Sequence, residues 1–164
     1  MKDLLDKLSS YNLFNYLLPG VLFAVIIDEL TPLRVIQKDI VLGVFVYYFL
    51  GSIISRIGSL VVEPILKRVK FIKFAPYEDF VKASKVDAKL EILSEANNMY
   101  RTVCALFIST SVVIGYNFVA YYLPWLNKAG LPLSICSLTV LYLFSYRKQT
   151  KYITKRVAVA LDDE

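Results

Sequence analysis

The chain has 164 residues, of which 57% are hydrophobic, and its mean hydropathy of +0.53 is more apolar than a soluble domain of this size can hide, so lipid must cover the surplus. It contains no histidine, which removes the commonest general base, proton switch and transition-metal ligand. A net charge of +5 in such a chain serves orientation and contact with anionic lipid before it suggests nucleic acid.

The leading segment MKDLLDKLSS is charged, and no small-x-small cleavage site follows the first apolar stretch, so residues 11–30 read as a retained first membrane helix. Pro19 cannot donate to the carbonyl of Asn15, which predicts a kink and a polar notch at Asn15, filled by a neighbouring helix or, less ordinarily, by an ion or headgroup. The second span, residues 40–62, carries Gly51, Ser55 and Ser59 at four-residue spacing with Gly58 beside them, a stripe that lets another helix approach closely in lipid. Tyr47 and Tyr48 lie inside this span and call for interhelical hydrogen bonds or, more rarely, a polar pore lining. Arg56 is its one charge. It lies about 24 Å along the span at 1.5 Å per residue, close enough to the inner face to snorkel, pair with Glu63 or approach Asn12 and Asn15; gating or substrate contact is the alternative.

After the second span, Lys67, Arg68, Lys70 and Lys73 alternate with Val69, Phe71, Ile72 and Phe74, a mixture that suits an anionic membrane surface better than direct nucleic-acid binding. Beyond Pro76, residues 77–101 read as one helix with Ala83, Val86, Leu90 and Leu93 as a seam that docks on a partner, another subunit or the chain's own C-terminal segment. The third span is residues 102–123, with Ala105, Ser109, Ser111 and Gly115 as a weaker small-residue device and Asn117 as a polar candidate. The fourth, residues 131–146, is short unless Trp125 and Leu126 belong to it, and residues 147–164 form a tail continuing the helix. Cys104 and Cys136 sit in apolar stretches near opposite membrane faces and read as small buried residues without a disulfide.

Lysine and arginine counts by segment are two before the first span, eight in residues 63–101 and five after the fourth, against two and one in the intervening short loops. The positive-inside rule therefore places both termini and the central segment in the cytoplasm of a multi-pass inner-membrane protein. The predicted fold is all-α: four transmembrane helices as two hairpins with a cytoplasmic helical segment between spans two and three. A membrane-embedded acid is missing from the spans' centres, which weighs against a coupled transporter. No phosphate loop, carboxylate pair, nucleophile with a base, or metal cluster is recognisable, so neither an enzyme nor a cofactor is predicted.

The strings SSYNLFNYLLPGVLF, YYFLGSIISRIGSLVVEP and SEANNMYR resemble those of small four-span membrane proteins of prokaryotic antiviral defence loci, the membrane subunit of Kiwa-type systems and the membrane accessories of RNA-targeting CRISPR systems. The resemblance covers about a quarter of the chain and transfers no functional residue. It implies a homo-oligomeric membrane protein working with a separately encoded cytoplasmic effector that acts on nucleic acid. The leading expectation is thus a subunit that senses membrane perturbation or anchors such an effector through residues 67–100 and the tail. A depolarising pore lined by Tyr47, Tyr48, Ser109 or Asn117 is the main rival, and a small-solute or lipid transporter the second.

Overall fold

Two prolines shape the first two helices. The computed structural model describes residues 11–161, so the charged leader with Lys2 and Lys7, and the last three acidic residues, lie outside the described residues. Helix α1 covers Leu13–Leu30 and α2 covers Ile40–Arg68. Each contains a five-residue π-helical turn, Leu13–Leu17 or Gly58–Val62, that ends two residues before a proline, Pro19 or Pro64. The Leu18 and Glu63 amides reach back to the carbonyls of Leu13 and Gly58. A wider turn makes room for a ring that would clash with the carbonyl four residues earlier, so the helix swells where the sequence alone predicts a kink.

Asp39 starts α2 by accepting the Leu42 amide at 2.8 Å. Its end is a Schellman motif: the amides of Lys70 and Phe71 reach the carbonyls of Lys67 and Leu66, and Lys70 takes a left-handed φ of 59°. Next come α3 (Tyr77–Val86), α4 (Lys89–Tyr122) and α5 (Trp125–Leu161). The single helix predicted over residues 77–101 is therefore two. Asp87 leaves helical geometry and its carboxylate accepts the Lys89 amide at 2.9 Å, stopping one helix and starting the next. This divides the predicted seam. Val86 ends α3 at 91% exposure, while Leu90 and Leu93 belong to α4.

Among the described residues the protein is all-helical, and α1, α2, α4 and α5 are long and apolar enough to cross a membrane. At about 1.5 Å per residue, α5, with 37 residues, is about 55 Å long, well over the roughly 30 Å of a bilayer's hydrocarbon core.

Backbone meets backbone where α1 crosses α2. A Cβ at Gly51 would lie 1.7 Å from the carbonyl oxygen of Tyr16, and one at Gly20 would lie 1.7 Å from that of Tyr47. Helix α4 packs on both, burying Ile54, Val62, Ala105 and Leu106 in a small apolar core. Helix α5 is peripheral. It touches α2 through stacked Phe49 and Tyr142 rings and a 2.9 Å contact between the hydroxyls of Ser52 and Tyr142, and it meets α4 near the turn, where the Tyr116 hydroxyl donates to the Leu126 carbonyl. Both cysteines are free and exposed rather than buried, because each lies on an outward helix face.

At the short-loop end the carboxylate of Asp28 accepts the amides of Val35 and Ile36 and pairs with Arg34. The opposite, basic end collects the start of α1, the α2–α4 connection and the second half of α5.

Candidate functional site: a polar node and basic cavity

Both π-helical turns place polar side chains at the basic end, the first against α4 and the second, with Glu63 just after it, against α4 and α5. Asn15 from the first is 1% exposed. Its amide donates to the Ser55 hydroxyl at 3.4 Å, and its carbonyl oxygen accepts from the Thr102 hydroxyl at 2.8 Å. Thr102 is fully buried and also lies 2.9 Å from the Asn98 carbonyl, so one proton is shared between two acceptors. Three helices are thereby tied by side chains that have no water to fall back on. Replacing Asn15 by alanine removes the link from α1 to Ser55 and Thr102, which keep their contact with each other and with the Asn98 carbonyl, and is expected to cost about 1 kcal/mol of stability; thermal unfolding in detergent measures it, and Asn15→Asp is expected to be worse because it adds an unpaired charge at the same place.

One turn further along, the second π-helical turn delivers Ser59 and Glu63. The Glu63 side chain is 7% exposed and sits between three cations: Lys67 at 2.8 Å, Arg101 of α4 at 2.8 Å and Lys148 of α5 at 3.7 Å. Lys148 also donates to the carbonyl and hydroxyl of Ser59, both at 2.7 Å. A single carboxylate thus holds α2, α4 and α5 together. Arg101 keeps one guanidinium nitrogen, Nε, buried without a partner among the described residues.

Around this node opens a cavity of about 890 Å³. Its polar wall carries Arg56, Lys67, Arg101, Lys148, Lys151 and Lys155, against the one carboxylate of Glu63. Its apolar wall comes from α3, α4 and the segment before α3, including Phe74, Phe80, Leu90 and Leu93. Helix α3 closes one side by docking on the end of α5, where Tyr77 and Tyr152 rings meet at 5.2 Å, Glu78 lies 3.9 Å from Lys155, and Val81 and Val159 are buried.

The predicted site residues distribute unevenly. The small-residue stripe of α2 splits among three neighbours: Gly51 meets α1, Ser55 bonds Asn15 and lies 3.3 Å from Thr102, Gly58 abuts Arg101 and Ala105 of α4, and Ser59 receives Lys148 of α5. In α4, by contrast, Gly115 faces open space. Arg56 does not pair with Glu63; its guanidinium reaches the Tyr16 hydroxyl at 3.4 Å. Of the pore candidates, Ser109 has a buried hydroxyl with no hydrogen-bond partner among the described residues, and the other three make separate local contacts. The Tyr47 hydroxyl accepts the Gln37 amide, Tyr48 packs edge-on against Tyr16, and Asn117 donates to the Val113 carbonyl of its own helix. All four residues of the basic cluster, Lys67, Arg68, Lys70 and Lys73, are exposed, with Lys67 reaching over the Phe74 ring and onto Glu63. Sequence does not mark Thr102, Arg101, Glu63 and Lys148 as a set, since they are distant in the chain and only the Glu63/Lys67 spacing of four is a local signal.

The fold and node define a class: a helical bundle, four of whose helices are long and apolar enough to cross a membrane, with a buried polar node and a basic cavity at one end. Compared with known protein families, curated proteins and solved structures, the chain matches none.

Proposed function

We propose that the protein is a homo-oligomeric inner-membrane subunit of a prokaryotic antiviral defence system, with its basic end in the cytoplasm, and that it couples the state of its membrane spans to a separately encoded cytoplasmic effector. The observation that carries the coupling is the Glu63 node, in which one carboxylate joins two membrane helices to the long outer half of α5. A shift of α2 against α4 changes that carboxylate's partners, and Lys148 passes the change into the helix on which α3 is docked. Interfaces that exchange discrete sets of ion pairs behave as two-state elements. The defence assignment is supported by the string resemblance, and the cytoplasmic placement by the charge asymmetry. Oligomerisation is supported by α5, of whose most apolar window only 6% is buried, leaving a long face for lipid or a second copy.

Orientation is tested with single cysteines placed in a Cys104→Ala, Cys136→Ala background. Lys128→Cys is expected to react with a membrane-impermeant maleimide on intact cells, and Lys73→Cys only after the membrane is opened; the reverse pattern contradicts the topology. The role itself is tested by phage challenge of cells carrying the gene with its neighbours. Protection is expected, with loss on Glu63→Gln, and unaltered plaque formation with and without the gene contradicts it.

A further inference from the structure

We propose that the basic cavity is a binding site for a phosphate-bearing anion, presented at the level of the membrane surface. Three features of the cavity converge on that chemistry. Six cationic side chains line it beside the carboxylate of Glu63, with Glu78 3.9 Å from Lys155, so a positive excess remains. Among the described residues, Arg56 is engaged through a long 3.4 Å contact with a tyrosine hydroxyl, and Arg101 keeps a buried Nε donor with no acceptor. Several cationic donors around one hollow suit the three or four oxygens of a phosphate better than the two of a carboxylate.

Position and shape add to charge. The cavity runs from Ser55 past Lys67 along α2, about 18 Å at 1.5 Å per residue, and so straddles the zone where acyl chains give way to headgroups. Its second wall is apolar, from Phe80, Leu90 and Leu93. A headgroup phosphate on the cationic wall with glycerol and upper acyl carbons on the other fills both surfaces, and a free phosphate in the cytoplasm shares the first half of that chemistry. The proposal does not depend on the defence assignment.

The test uses the full chain in phosphatidylcholine nanodiscs, to which either phosphatidylglycerol or inorganic phosphate is added. Thermal unfolding and native mass spectrometry provide the readouts. Stabilisation and retained adducts with phosphatidylglycerol alone identify a lipid headgroup as the source, and the same response to inorganic phosphate identifies a soluble anion; either supports the site. Combining Arg56→Gln with Lys151→Gln is expected to weaken the response about tenfold, while Lys128→Gln at the opposite end leaves it intact. Unfolding in phosphatidylcholine alone checks that the double variant is folded, and should it not fold, Lys151→Gln, at an exposed position, carries the test with a smaller expected loss. No response to either anion, an unweakened response in the folded variant, or equal weakening by Lys128→Gln overturns the proposal.

Discussion

Replacing Glu63 by glutamine is expected to destabilise the protein by about 3 kcal/mol, the low end of the range for removing one partner of a buried ion pair. The low end applies because its partners are only partly enclosed: the Arg101 and Lys148 side chains are 19% and 26% exposed, and Lys67 is 42% exposed. Glutamine keeps the shape and loses the charge, so Arg101 and Lys148 are left near each other with no anion between them. Two like charges then repel where one acid had joined three helices. Thermal unfolding in detergent reads the loss. Adding Lys148→Gln to Glu63→Gln is expected to recover part of it, since the second change removes one of the stranded cations. An unfolding temperature unaffected by Glu63→Gln contradicts the node as a structural centre.

Gly51→Ala is expected to cost a similar amount, about 3 kcal/mol, by overpacking. The new Cβ falls 1.7 Å from the Tyr16 carbonyl oxygen, and the obstacle is backbone, which cannot rotate away as a side chain would. Helices α1 and α2 must separate, and with them go the Gly20 contact and the alignment of Asn15 with Ser55. Gly115→Ala provides the contrast on α4. A Cβ there meets nothing within 4 Å, so that change is expected to be neutral or to stabilise by up to about 1 kcal/mol through helix propensity. Comparable unfolding temperatures for the two variants would contradict the close crossing.

Much of this architecture is legible in the sequence because lipid imposes simple demands. Span length, proline position and small-residue spacing locate the four long helices, and Asn15 beside Pro19, read as a polar notch, is where the structure brings Ser55 and Thr102. Long-range pairing is what escapes. Glu63 reads as a residue just past the second span, with Arg56 as its candidate partner, yet the π-helical turn between them alters the face on which Glu63 emerges and hands it to Arg101 and Lys148. That turn precedes Pro64 as the first precedes Pro19, a repeated pattern visible only once both helices are in view. The break at Asp87 escapes for a different reason. Hydrophobic spacing runs straight through it, and only the carboxylate's local bond to the Lys89 amide interrupts the helix. Cys104 and Cys136 show the limit of reading apolar surroundings as burial. In a bilayer an outward face is as apolar as a core, so composition cannot tell the two apart.

The same physics separates the functional readings. Groups that would line a pore are spread over different surfaces: Tyr47 holds a loop amide, and Asn117 satisfies a carbonyl of its own helix. The charged groups, by contrast, converge on one end and on one carboxylate. The proposed assembly and signalling role rests on that convergence.

Coupling through the Glu63 node is tested most directly by purifying the tagged chain from its native membranes in a mild detergent and weighing the intact assembly. We expect a homo-oligomer that carries a cytoplasmic protein encoded beside it, with that protein lost in the Glu63→Gln variant while the membrane oligomer persists. A monomer that carries no partner would contradict this coupling.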